Sequence, residues 1–367
     1  MSLREETTPR ETETRRPDAA PAALTVRLSR PMVWFPAALM LLAVCLAAGL
    51  ITGAAGIPPW AVVLQAVDWL PFVSVDTGLT PLEQNLLWEL RLPRVLLGAL
   101  VGGMLAMAGA GYQGVFRNPL ADPYLLGAAA GAGMAATLVI VLVKGEAATA
   151  IVPVAAFAGA VGGVLLAYGL GAAARKTGDG TATLVLAGVA VTSFLTAIQT
   201  FVQQFGVDEL QRIYAWLLGD VGGEWSELGM IVPYAFVAAG VLLAHGRMLD
   251  VLSVGEEEAV TLGVRAARVR LIVLLSASLA TAAAVAVSGL IPFVGIVVPH
   301  IVRRLVGGSY RMVLPLSLLV GAAFLVLADL VARTVLAPAE LPIGVVTAFV
   351  GAPFFLLVLH FTRRVET

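Results

Sequence analysis

The chain has 367 residues, of which 59% are hydrophobic and only 13% charged, with a net charge of -1. An ordinary soluble domain carries about 25% charged residues, so a soluble globular protein is excluded. A nucleic-acid binder is excluded as well, because neutralising phosphates takes clustered Lys and Arg. One cysteine, Cys45, rules out a disulfide scaffold. The three histidines, His245, His300 and His360, are dispersed and no HExxH or CxxC spacing occurs, so no metal site is expected.

Residues 1–30 are rich in Pro, Thr, Arg and Glu and read as a disordered cytoplasmic tail. Residues 31–364 then form a single membrane domain. Its first apolar block, 33–53, exceeds a signal-peptide core and is followed by further blocks, so it reads as a retained helix. The other predicted spans are 95–115, 124–143, 148–171, 183–204, 226–245, 269–289, 291–303, 313–333 and 343–361, ten in all. The eighth is short, opened by Pro292 and interrupted by Pro299. Such broken helices belong where protein rather than lipid surrounds them.

Charge sets the expected orientation. With the N-terminus inside, 18 of the 23 Lys and Arg fall on the cytoplasmic side, leaving Arg91, Arg94, Lys144, Arg212 and Arg333 towards the outside. An even number of spans places both termini in the cytoplasm. Glycines such as Gly98, Gly102, Gly103 and Gly109 suit close helix packing in a compact bundle.

Along this frame, Arg91 and Arg94 flank Leu92-Pro93 at the outer start of the second span. They are either interface anchors or a dock for the carboxylates of an external partner. Asp329 and Arg333, four apart, share a helix face near the outer end of the ninth span and either neutralise each other or place Arg333 with the other two arginines. Gln199 and Gln203 share a face of the fifth span and fit a helix–helix hydrogen bond or a polar translocation path equally well.

The cytoplasmic segment 249–264 reads as a pair of surface helices. Ser253 is placed to cap a helix start, and Glu256 opens an acidic run suited to a helix N-terminus. Val260 and Leu262 among those charges favour a partner-binding surface. No GxxxxGK[ST] phosphate loop occurs, so any ATP, with its Mg, must be bound and hydrolysed on a separate chain; no cofactor and no catalytic residue is expected here.

Three stretches carry a family resemblance. The first is Arg91-Leu92-Pro93-Arg94 followed by Gly109-Ala110-Gly111-Tyr112-Gln113-Gly114-Val115-Phe116-Arg117-Asn118-Pro119-Leu120-Ala121-Asp122-Pro123. The second is Gly289-Leu290-Ile291-Pro292-Phe293-Val294-Gly295-Ile296-Val297-Val298-Pro299-His300. The third joins Ala328-Asp329-Leu330-Val331-Ala332-Arg333, Glu340-Leu341-Pro342-Ile343-Gly344-Val345-Val346-Thr347 and Gly351-Ala352-Pro353-Phe354-Phe355. In these the chain resembles the FecCD permeases, which import iron–siderophore complexes, heme and vitamin B12.

The resemblance implies an all-α polytopic fold of the type II ABC importer permease kind, with about ten transmembrane helices and two inverted halves. It implies residence in the bacterial inner membrane, a second permease copy (a homodimer), two cytoplasmic ABC ATPase subunits and an extracytoplasmic solute-binding protein. The substrate would be a siderophore or heme iron chelate, or cobalamin. The family pattern places docking arginines at Arg91, Arg94 and Arg333, and ATPase coupling around Ser253, Gly255, Glu256, Leu262 and Gly263. It places an inner gate near Gly180, Thr181 and Ala182, where Ala182 lacks the hydroxyl found in some members. The charged N-terminal tail exceeds what the family needs. A secondary active transporter with no ATPase partner is the alternative the hydropathy allows.

Overall fold

Runs of about 20 apolar residues have no water to pair with inside a bilayer, so their backbone must close its hydrogen bonds within the run, as a helix. The computed structural model describes residues 30–53, 56–68, 74–143, 145–174 and 180–363, and every regular element among them is helical. Residues 1–29 of the predicted tail, Lys144, the loop with Arg175 and Lys176, and the last four residues lie outside the described ones, and Arg30, the last residue assigned to the tail, opens the first helix.

In chain order the helices are α1 (Arg30–Ile51), α2 (Pro59–Asp68) and α3 (Pro81–Asn85), whose chain runs through a π turn (Leu86–Arg91) straight into α4 (Leu92–Phe116). A 3-10 turn (Pro123–Leu126) precedes α5 (Ala128–Leu142), followed by α6 (Glu146–Ala173) and α7 (Gly180–Gln203). A second 3-10 turn (Val207–Glu209) leads to α8 (Leu210–Leu217), then α9 (Trp225–Ala244), α10 (Gly246–Val254) and α11 (Glu256–Thr261). The chain ends with α12 (Ala266–Ser288), α13 (Val294–Val306), α14 (Tyr310–Thr334) and α15 (Ile343–Arg363).

The ten predicted spans fall on α1, α4, α5, α6, α7, α9, α12, α13, α14 and α15. Among the described residues, seven helical runs are long and apolar enough to cross a membrane, and the second of them is continuous from Pro81 to Phe116. Arg91 and Arg94 therefore sit inside a helical run, not at its start. Helices α5 and α15 contribute shorter apolar stretches, and α13 has 13 residues. Helices α2, α3 and α8 were not anticipated.

The centre of the bundle is α4, with 83% of its apolar window buried, flanked by α12 at 72% and α14 at 61%. Helices α1, α7 and α9, at 17–22%, keep apolar faces on the outside. The closest crossings are glycine on glycine. A side chain at Gly102 would strike the carbonyl of Gly321, one at Gly109 that of Gly295, and one at Gly131 that of Gly159. Removing Cβ lets the backbones approach, which replaces the hydrophobic drive that lipid cannot supply. The pairing of α4 with α14 has a counterpart in α12 with α6, and α5–α6 has one in α13–α14, so the packing of α4–α6 recurs in α12–α14.

Candidate functional site

Among the described residues, three places bear on the predicted residues and on the breaks between helices. The first is the end of the bundle predicted to face outward. There Arg91, Arg94 and Arg333 converge from the α4 run and α14 around one cavity of about 480 Å³, also lined by Gly53 and Glu340. Arg94 donates to Asp329 Oδ1 from Nε and Nη2 (3.0 and 2.9 Å) and to both oxygens of Glu340 (3.3 and 2.8 Å). Arg91 donates to the carbonyls of Leu50 and Ile51 at 3.1 and 3.3 Å, and Arg333 to that of Gly49 at 2.7 Å. These are carbonyls at the C-terminal end of α1, left without helical partners, so the two arginines act as its cap. Arg333 Nε lies 3.3 Å from Asp329 Oδ2, at ion-pair distance but off the hydrogen-bond angle. Both expected accounts of Arg333 thus hold at once: it faces Asp329 and it joins the other arginines. The arginines differ in access. Arg91 and Arg333 are about 8% exposed, whereas the Arg94 side chain keeps 19% and its partner Glu340 48%.

The second place is the helix pair α10–α11. Gly255 separates the two helices, and Gly263, with φ +77°, turns the chain out of α11 in a left-handed conformation suited to glycine. Val254, Val260 and Leu262 stand 65–70% exposed along this pair. The acidic run beginning at Glu256 does open α11. Ser253 caps nothing: it lies inside α10 and donates back to the Asp250 carbonyl at 2.6 Å, and Gly255 holds the N-cap position of α11. The reason is that α10 starts at Gly246, well upstream of the serine. The side chain of Glu256 lies outside the described ones.

The third place is where helices break inside the bundle. The α8 end, the α12 end and the start of α15 meet through main-chain bonds: Asp220 N to Ser288 O at 2.9 Å, Ile343 N to Gly219 O at 3.2 Å and Gly344 N to Leu218 O at 3.0 Å. Tyr124 adds its hydroxyl, which lies 3.2 Å from both the carbonyl and the N–H of Ile291. Beside this junction is an apolar cavity of about 710 Å³ lined by Tyr124, Leu218, Leu290, Pro292, Phe349 and Pro353 among others. The preceding turn explains its sequence. Arg117 takes a left-handed conformation (φ 48°) to end α4, Asn118 accepts from Leu120 N at 2.9 Å, and Asp122 accepts from Tyr124 N at 2.7 Å to open the 3-10 turn.

The predicted gate and path residues are not gathered at that junction. Gln199 is 8% exposed and faces Gly133 of α5, a helix–helix contact. Gln203 is half-buried one turn further along α7. Gly180, Thr181 and Ala182 form the first turn of α7, where Ala182 is exposed and the Thr181 side chain lies outside the described ones. Among the described residues no three His, Cys, Asp or Glu come together as a metal site. Leu217 and Leu218, at the cavity through α8, were missed because eight residues give too short an apolar pattern to read.

The chain is similar to several known proteins. A cobalamin import permease, BtuC, of Halobacterium salinarum is 44% identical over 289 residues, 77% of this chain and 75% of the relative. A Bacillus subtilis protein described as the ABC transporter permease YvrB is 43% identical over 285 residues, 76% and 80% of the two chains. The Escherichia coli Fe(3+) dicitrate permease FecD is 38% identical over 274 residues, 74% and 84%. A solved structure described as an inward-facing metal-chelate type ABC transporter superposes with a TM-score of 0.76 at 30% identity, covering 90% of this chain and 99% of that one. The profile of the FecCD transport family matches residues 39–361. The match over residues 39–361 and the relatives at 38–44% identity show that the chain belongs to the FecCD transport family.

Proposed function

We propose that this chain, a permease of the ATP-binding-cassette importer type, moves an iron chelate or a corrinoid inward through a path whose wall is the apolar junction beside α8, α15 and residues 289–293. A second copy would close the path from the opposite side, and the exposed apolar faces of α7 and α15, including Phe194, Phe201 and Phe349, suit such a partner. Helices α10 and α11 dock a cytoplasmic ATPase, which carries the ATP and Mg. The observation that carries this reading is the run of exposed Val254, Val260 and Leu262 on a charged, non-spanning helix pair, since exposed apolar patches rimmed by charge mark interaction sites.

At the outer end a binding protein presents carboxylates to the arginine cluster. Arg94 is the group that meets it, because it is the most exposed of the three and one of its partners, Glu340, is itself half exposed, whereas Arg91 and Arg333 are turned to the α1 carbonyls. The test is purification of the permease with its cognate ATPase and binding protein. Leu262→Glu combined with Val254→Glu should release the ATPase while the permease still inserts. Arg94→Gln should weaken binding-protein association and its salt dependence while basal ATP hydrolysis continues. Transport driven by a proton or sodium gradient with no ATPase bound would overturn the reading.

A further inference from the structure

At the α10 end of the bundle, an unbroken series of contacts joins the exposed helix pair to the wall of the 710 Å³ cavity. Asp250 on α10 accepts from Ser309 Oγ at 2.9 Å, from Arg311 Nε at 3.1 Å and from the Tyr310 backbone N–H. Its carboxylate therefore sits on the N-terminus of α14, where the first N–H groups are unpaired and the helix dipole is positive. The Tyr310 ring lies under the Arg303 guanidinium, 5.6 Å from ring centre to Cζ. Arg303 Nη2 donates to Gln113 Oε1 at 3.0 Å, and the same carboxamide donates from Nε2 to the Gly295 carbonyl at 3.2 Å. Gln113 is 1% exposed in α4 and uses both ends of its amide. Gly295 lies in the first turn of α13, a few residues after the cavity-lining Leu290 and Pro292, and is wedged against Gly109 and Pro123, so it has little room to shift on its own.

We infer that Asp250 and Gln113 are positioning residues, which together carry a displacement of α10–α11 to the segment 290–295, whose Leu290 and Pro292 line the cavity. The inference rests on the reading of α10–α11 as the ATPase contact. Its physical content is that Asp250 fixes α10 to the start of α14, so the helix pair cannot move without taking Tyr310 with it. Tyr310 and Gln113 then hold the two sides of Arg303, and the amide of Gln113 passes that movement to the first turn of α13. None of Asp250, Arg303, Tyr310 or Gln113 lines the cavity or belongs to the exposed apolar run, so each acts only through the others.

The test uses the full permease with its cognate ATPase in lipid nanodiscs, in a Cys45→Ala background, with a bimane fluorophore on Leu290→Cys. The probe is ATP trapped with vanadate. In the parent complex, trapping shifts the bimane emission. Gln113→Met and Asp250→Asn each retain the ATPase through purification and cut that shift by about fivefold or more, the size of a lost coupling between sites. The double variant is no worse than the worse single one, because both lie on one series. Asp250→Glu, which keeps the carboxylate, restores most of the shift lost in Asp250→Asn. If Gln113→Met does not assemble, Tyr310→Leu interrupts the same series and should give the same loss. A full shift in the single variants, or losses that multiply in the double variant, overturns the inference alone. A parent complex that hydrolyses ATP without any shift at position 290 overturns the ATPase-contact reading as well.

Discussion

Asp329 is the carboxylate on which two arginines converge, and its removal is the severest single test of the arginine cluster. It is 3% exposed, with Arg94 at 2.9 and 3.0 Å on one oxygen and Arg333 at 3.3 Å on the other. Asp329→Ala leaves Arg333 without a counter-charge and Arg94 with Glu340 alone, and Asp329→Asn keeps an acceptor for Arg94 only. Removing one partner of a buried ion pair costs about 3–5 kcal/mol. Two contacts soften the loss. Arg94 keeps Glu340, but that carboxylate is half exposed and such pairs contribute at most about 1 kcal/mol. Arg333 keeps the Gly49 carbonyl at 2.7 Å, a charged hydrogen bond that holds the side chain in place. The expected cost is about 2–4 kcal/mol for Asp329→Ala and roughly half that for Asp329→Asn. Thermal unfolding of the purified permease in detergent, followed by tryptophan fluorescence, reads both, with Arg94→Gln and the Arg94→Gln/Asp329→Ala pair completing a double-mutant cycle. An unchanged midpoint for Asp329→Ala, or a cycle with no interaction energy, would refute a structural ion cluster at this end.

Glu340→Gln releases Arg94 from its exposed partner, so binding-protein affinity should rise severalfold at low salt, read by surface binding across a salt series; a fall would mean that Glu340 itself meets the partner. Gly109→Ala drives a methyl group into the Gly295 carbonyl and should cost about 1–3 kcal/mol. Gly162→Ala, whose new Cβ meets nothing within 4 Å in α6, should instead leave stability unchanged or raise it by up to about 1 kcal/mol in the same unfolding assay. In a Cys45→Ala background, Leu262→Cys should react only with thiol reagents that enter the cytoplasm and Asp208→Cys with impermeant ones outside; the reverse pattern would invert the topology.

The spans were legible because each is a run of apolar residues whose length the bilayer dictates, and composition alone carries that signal. The elements that escaped are short or mixed. Helix α8 has eight residues with Gln211 and Arg212 on one side, and α3 is a five-residue turn that continues into a π segment. The arginines were legible as a trio at one end, because charge and topology place them there. Their employment as caps on α1 was not, since Arg91 and Arg333 reach carbonyls 40 and 284 residues away. Ser253 misled for a related reason. A serine before an acidic run looks like a local cap, whereas the carboxylate at a helix start in this region comes from Asp250 and serves α14, 60 residues downstream. Local pattern reports who is helical, and non-local partners decide which polar group serves which end.

The broken-helix junction is fastened by Asp220 N to Ser288 O, Ile343 N to Gly219 O and Gly344 N to Leu218 O, all main chain to main chain. Such fastenings are indifferent to side-chain identity, provided the glycines that allow the approach remain. The cavity's apolar lining at Leu217, Leu290, Val345 and Phe349 can therefore be exchanged without loosening the frame that presents it. If this cavity is the proposed path, cargo preference and mechanical integrity are separable traits: altering the first calls for repainting the wall, and the main-chain fastenings behind it stay as they are.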